Sequence, residues 1–193
     1  MPAVIYTGSR LRLLFLCTAV AVTLCTPLND SFAANKESIL ESRILKIGEK
    51  APIFQCKELG GEDFDLARHI GEKPVVLFFW SFFCGPCREE MPILQKVYEE
   101  IGIDKVHIVG INLDGEKLGN AIEKFMSDSN LDFTTVFDEL NGLEYKIADP
   151  YGVAGTPTVY AIGLEGQIIF STVGRIEPQE LKDAIRQSTG QGS

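Results

Sequence analysis

Six apolar residues in succession, Val75-Val76-Leu77-Phe78-Phe79-Trp80, stand out from a chain whose other hydrophobic positions follow helical or strand spacing. Opened by Pro74 and rich in β formers, this run predicts a strand buried on both faces. The period then changes. Met91, Leu94, Val97, Tyr98 and Ile101 recur at helical spacing, with Glu89, Glu90, Gln95, Lys96 and Glu99 on an opposite, solvated side. Pro92 falls inside this helix and removes the backbone bond to the Arg88 carbonyl, which predicts a kink.

Upstream, Ile53–Cys56 begins a short strand, and Gly60-Gly61 turns the chain toward a second around Phe64–Leu66. Downstream, Val106–Leu113 reads as another buried strand. Asn120-Ala-Ile-Glu123 reads as a capping box, opening a helix whose apolar stripe is Ile122, Phe125 and Met126. Phe133–Phe137 is again a strand, and Leu143–Ala148 reads as a short helix. Thr158–Ile162 and Gln167–Val173 form a hairpin through Gly163-Leu-Glu-Gly166; Pro178 then opens a last helix with Leu181, Ala184 and Ile185 inward. Alternating strands and helices predict an α/β domain with a parallel core, and the terminal hairpin adds an antiparallel edge. The expectation is a mixed sheet with helices on both faces.

A length of 193 residues, 45% of them hydrophobic, suits one domain with a real core. The first segment differs in kind. Arg10 and Arg12 precede an uncharged stretch, Leu13–Asn29, and Ser31-Phe32-Ala33 supplies small residues for cleavage after Ala33. This reads as an export signal. The stretch also reaches the lower bound of a spanning helix, so an uncleaved anchor is the alternative; either places the domain outside the cytoplasm, as in a periplasm. Residues 1–33 are thus leader or anchor, 34–46 connector, 47–188 the domain and 189–193 a tail. Leu16 and Leu24 precede Cys17 and Cys25 where a lipid-attachment site needs a small residue, so a lipoprotein is disfavoured. The net charge of −9, with no cluster of Lys and Arg, argues against nucleic acid. With only His69 and His107, a His-rich metal site is not expected.

Beyond the leader the cysteines are Cys56, Cys84 and Cys87, an odd set that is no stapled scaffold. Cys84-Gly85-Pro86-Cys87 sits where the buried strand gives way to the helix. A helix start offers free N–H groups and the positive end of the dipole, which favour the thiolate at Cys84. Cys87, one turn on, is close enough to bond to it but more buried. The pair suits exchange: Cys84 attacks a disulfide and Cys87 resolves the mixed intermediate. A structural disulfide closing so short a loop would stabilise little, zinc lacks four ligands, and c-type haem attachment needs His where Arg88 stands. Neither Gly85 nor Pro86 offers a charge or side-chain donor to stabilise the thiolate, which favours a reductant over an oxidant. Cys56 alternates with Phe54 and reads as a small buried residue, with a regulatory thiol as the alternative.

With these residues in view, the chain resembles the thioredoxin superfamily, and within it the exported TlpA/ResA-like thiol-disulfide oxidoreductases. The resemblance runs from Ile47 to Gln187. It is carried by Lys73–Cys87, Pro92, Tyr151-Gly-Val-Ala-Gly-Thr-Pro-Thr158 and the strand from Gly166 to Gly174. It implies a thioredoxin fold with an N-terminal strand extension and a central βα insertion over residues 106–137. It implies a redox-active Cys84–Cys87 disulfide, a cis Pro157 facing it, Thr156 as a substrate-binding residue, and Trp80 beside the dithiol as a cover. The implied partners are disulfide-containing proteins, with apocytochrome c among them, and a membrane-embedded thiol carrier as electron donor; no cofactor is implied. Phe78 and Gly85 replace acids that some members carry, which leaves the proton acceptor for Cys87 unassigned, and Phe82-Phe83 replaces a small residue plus Trp. Two other readings compete. A thiol peroxidase would need the Pro-x-x-x-Thr-x-x-Cys pattern, which is absent, and a non-catalytic chaperone or assembly module would leave both cysteines idle.

Overall fold

The computed structural model describes residues 44–190. The expected leader, the connector up to residue 43 and the last three tail residues lie outside the described residues. Strand β3 (Val75–Trp80) is the central element, and every one of its side chains is buried. Val76, Phe78 and Trp80 point into one core, while Val75, Leu77 and Phe79 point into a second on the other face. Burial on both faces is why the run shows no alternation.

Around β3 the sheet adds β1 (Gln55–Glu58), β2 (Asp63–Asp65), β4 (His107–Asn112), β5 (Thr134–Phe137), β8 (Thr158–Ile162) and β9 (Ile168–Val173), in the order β2-β1-β5-β4-β3-β8-β9. β3, β4 and β5 run parallel; β8, β9 and the β1–β2 extension are antiparallel to their neighbours. The chain enters along β9, where Gly48 N–H donates to Ile168 O at 2.8 Å and Ile168 N–H to Glu49 O at 2.8 Å.

The three long helices, α2 (Gly85–Ile101), α3 (Gly119–Asp128) and α4 (Pro178–Ser188), bury their apolar stripes in the first core through Met91 and Leu94, Ile122 and Met126, and Leu181 and Ile185. Among the described residues the opposite face carries the short α1 (Leu66–His69), the N-terminal chain through Ala51 and Phe54, and irregular chain around Ile147–Tyr151. Both crossovers, β3-α2-β4 and β4-α3-β5, step the same way along the sheet; connections of one hand therefore put both helices on one face.

Three local expectations need correction. Leu143–Ala148 is not a helix: Leu140–Asn141 (β6) and Glu144–Tyr145 (β7) pair as a small hairpin around Gly142 at φ 70°. Asn120 does not cap α3, because a 3₁₀ turn at Glu116–Leu118 runs straight into the helix and leaves Asn120 inside it. Glu90 and Gln95 are not solvated. Glu90 accepts Ile176 N–H at 2.9 Å, and Gln95 accepts Asp132 N–H at 3.0 Å, so both are buried polar ties from α2 to distant loops.

Candidate functional site

Because β3, β4 and β5 are parallel, their C-terminal ends lie together, and the chain leaves β3 through Ser81-Phe82-Phe83 into α2. Crevices at such strand ends are where sheets of this kind place ligands. Cys84 is the N-cap of α2, in extended conformation, with Pro86 in the first turn. Its sulfur is bonded to that of Cys87, with Cα atoms 5.3 Å apart, and accepts the Cys87 N–H at 3.1 Å. This N–H is one of the helix-start donors that has no intrahelical partner. Cys84 is half-buried, whereas Cys87 is at 0% exposure in the core with Met91 and Trp80. Only one sulfur of the pair is therefore open to a partner.

Facing it, Thr156–Pro157 is a cis peptide at the start of β8, and the Thr156 carbonyl oxygen lies 3.6 Å from Cys84 Sγ. Thr158 Oγ–H donates to Gly155 O at 2.7 Å, and Gly174 N–H to Pro157 O at 2.8 Å, which pins the turn from both sides. Thr156 remains half-exposed, Pro157 is buried, and Gly85 and Pro86 lie open at the surface. The tertiary fold thus brings residues 84–87 and 156–157 together across β3 and β8.

Trp80 is placed otherwise than as a cover. It is wholly buried, with its Nε1 lacking a partner and only 3.2 Å from where a Cβ on Gly110 would stand. The aromatic surface beside the dithiol comes instead from Phe83, 76% exposed, and Phe82, which packs edge-on to Phe125 of α3 at 5.9 Å. The Arg88 guanidinium lies over both Phe82 and Phe125, 5.9 and 5.3 Å from their centroids. Sequence reading noted the Phe82-Phe83 pair but not its partner Phe125, which comes from another element.

Two acids near the pair also went unassigned. Glu90 follows Cys87 by one helical turn and is buried. Asp114, just past β4, accepts Ser81 O–H and Phe82 N–H at 2.8 and 2.6 Å. Nothing local flags either: Glu90 is buried against Ile176 N–H from beyond β9, and Asp114 reaches the turn from the end of β4. Cys56 lies apart, on β1, second from the far edge of the sheet, beside Asp65, Arg68 and Glu139. Burial, then Asp138, Glu58 and Glu139, push its thiol up to about 12.

A bonded Cys-x-x-Cys pair at a helix start, one sulfur open and one buried, opposite a turn that can pair with an extended chain, defines a thioredoxin-fold thiol-disulfide oxidoreductase. Comparison with known proteins agrees. Residues 47–174 match the AhpC/TSA family, and the chain belongs to that family. It is 31% identical over 159 residues to the thiol-disulfide oxidoreductase ResA of Oceanobacillus iheyensis, covering 81% of this chain and 74% of the relative. It is 29% identical over 176 residues to ResA of Bacillus subtilis, covering 89% and 91%. Among solved structures, a secreted Mycobacterium tuberculosis disulfide oxidoreductase homologous to E. coli DsbE superposes with TM-score 0.57 at 28% identity, covering 69% of this chain and 95% of that one. Among the described residues no helix is long and apolar enough to cross a membrane.

Proposed function

We propose that this oxidoreductase works outside the cytoplasm as a reductant of protein disulfides, with Cys84 attacking and Cys87 resolving. The observation that carries the reading is the asymmetry of the pair: Cys84 is half-exposed at the helix N-cap and Cys87 is fully buried beneath it. In the dithiol form the Cys84 thiolate attacks one sulfur of a substrate disulfide, forming a mixed disulfide and releasing the other sulfur as thiolate. Cys87, losing its proton, then attacks Cys84 Sγ, closes the internal disulfide and releases the second substrate thiolate. Two electrons pass to the substrate, and a dithiol donor must restore the pair.

Thr156 offers the backbone that an extended substrate segment pairs with, beside Pro157, and Phe83 gives that segment an apolar neighbour. Gly85 and Pro86 leave the approach to Cys84 open and add no charge. Trp80 supports the pair from within the core it shares with Cys87. As part of the same proposal, Glu90, the buried acid one helical turn beyond Cys87, takes its proton. Residues 1–33 serve as the export leader or anchor, consistent with a secreted structural neighbour. The donor is then a membrane-embedded thiol carrier, and the substrates include the disulfide formed between the Cys-x-x-Cys-His cysteines of apocytochrome c, which is reduced to thiols.

Cys87→Ser tests the reading, because it removes the resolving sulfur. It should accumulate a mixed disulfide through Cys84 that mass spectrometry identifies, and Cys84→Ser should accumulate none. A reduction potential as high as that of a strong oxidant, about −120 mV, would overturn the reductant assignment.

A further inference from the structure

One carboxylate organises the turn that presents Cys84. Asp114 Oδ1 accepts Ser81 O–H at 2.8 Å, while Oδ2 accepts Phe82 N–H at 2.6 Å and the Asn112 side-chain N–H at 3.1 Å. Its own N–H donates to Asn112 Oδ1 at 2.9 Å. The chain of bonds continues to the dithiol: Ser81 Oγ accepts Phe83 N–H at 3.2 Å, and the Ser81 carbonyl accepts Cys84 N–H at 3.0 Å. Backbone dimensions across so short a turn put the carboxylate within about 10 Å of Cys84 Sγ. Asn112 is fully buried and Asp114 half-buried, so the charge is incompletely screened by water.

We propose that Asp114 is a positioning residue that also sets the redox poise, its negative charge disfavouring the Cys84 thiolate and making the dithiol a stronger electron donor. The physical cause is simple. The dithiol form carries negative charge on Cys84 and the disulfide carries none, so a nearby anion raises the free energy of the reduced state alone. Giving up two electrons to a substrate disulfide relieves that repulsion. The other charged side chains on the surrounding elements are Arg88, Glu89, Glu90, Lys96, Glu99 and Glu100 on α2, Glu116 and Lys117 in the 3₁₀ turn, Glu123, Lys124 and Asp128 on α3, and Arg175 and Glu177 after β9. The Gly155–Pro157 turn carries none. Arg88 is drawn over Phe82 and Phe125, and Glu90 is bonded to Ile176 N–H. Among the described residues, Asp114 is the acid bonded to the turn itself.

The inference rests on Cys84 and Cys87 being the exchanging pair, and D114N tests it. Asparagine can keep the geometry: its oxygen replaces Oδ2 toward Phe82 N–H and Asn112, and its amide donates to Ser81 Oγ, whose hydroxyl rotates to accept. Only the charge is lost. D114N should shift the equilibrium with a reference dithiol about threefold to tenfold toward reduced protein, the tenfold limit being ~30 mV for a two-electron couple. The pH midpoint of Cys84 alkylation should fall with it. Wild-type protein should show the same direction of change in potential between 0.05 and 1 M salt, by screening, which serves should the variant not fold. A folded D114N with wild-type potential and alkylation midpoint, or a wild-type potential that ignores salt, overturns the inference. A wild-type protein with no two-electron couple would overturn the exchange reading first and this one with it.

Discussion

Three cysteines on one scaffold behave differently because of what surrounds each sulfur. Cys84 sits on a helix N-terminus, Cys87 in an apolar core, and Cys56 on β1, near Asp138, Glu58 and Glu139. Its thiol, pushed up to about 12, stays protonated at ordinary pH and becomes reactive only as pH approaches that value. At pH 8 it holds on the order of a thousandfold less thiolate than an unperturbed cysteine. Brief iodoacetamide treatment of reduced protein at pH 8 should therefore label Cys84 and leave Cys56 unmodified by mass spectrometry, and Cys56→Ser should turn over at the wild-type rate. Cys84 and Cys87 were legible from spacing alone, since both the nucleophile and the helix that activates it are local. Glu90 was not. Its burial depends on Ile176 N–H arriving from beyond β9, and a Glu-Glu pair early in a helix carries no mark of which member will meet it.

Elements were legible where one period ran long enough and illegible where a side chain captured the backbone. β3 and α2 follow from an apolar run and a helical stripe. Residues 143–148 carry a stripe too, yet Asp138 takes the Ile147 and Ala148 N–H groups at 3.0 and 2.8 Å, and Asp149 takes Tyr145 N–H at 3.0 Å. Those donors are withdrawn from any helix. Burial raises the pKa of Asp138 while these backbone donors lower it, burial being the larger effect. Asp138→Ala would leave two buried N–H groups unpaired and should cost about 2–4 kcal/mol, seen as a lower Tm. Asp138→Asn, which keeps one acceptor, should fall between the variant and wild type. Equal melting of all three would show that the segment is held by Ile147, Ala148 and Tyr151 packing alone.

At the scale of the molecule, the end of the sheet remote from the dithiol carries a stack of Phe64, His69 and His107, with His69–His107 centroids 4.4 Å apart and Phe64–His69 4.9 Å. Burial, then the neighbouring His69 and Lys73, push His107 down to about 4. An unfolded chain would bind that proton near pH 6.5, so stability linked to His107 is complete above about 6.5 and is lost as pH falls toward 4. Screening at this half-exposed site leaves roughly 1–2 kcal/mol. Urea midpoints should drop between pH 7 and pH 4.5, and His107→Gln should flatten that difference; an unchanged pH profile in the variant would assign the loss to other groups. The sequence by itself determined the α/β class, the buried central strand, the helix start under Cys84 and the exchange chemistry, because each depends on neighbours within a few turns. Only the tertiary structure decided which face the long helices share, that Trp80 is wholly buried in the core instead of covering the dithiol, and that Phe125 meets Phe82, Glu90 meets Ile176, and Asp114 meets Ser81 and Phe82. Those placements depend on strand order and on contacts between segments tens of residues apart, which no local period encodes.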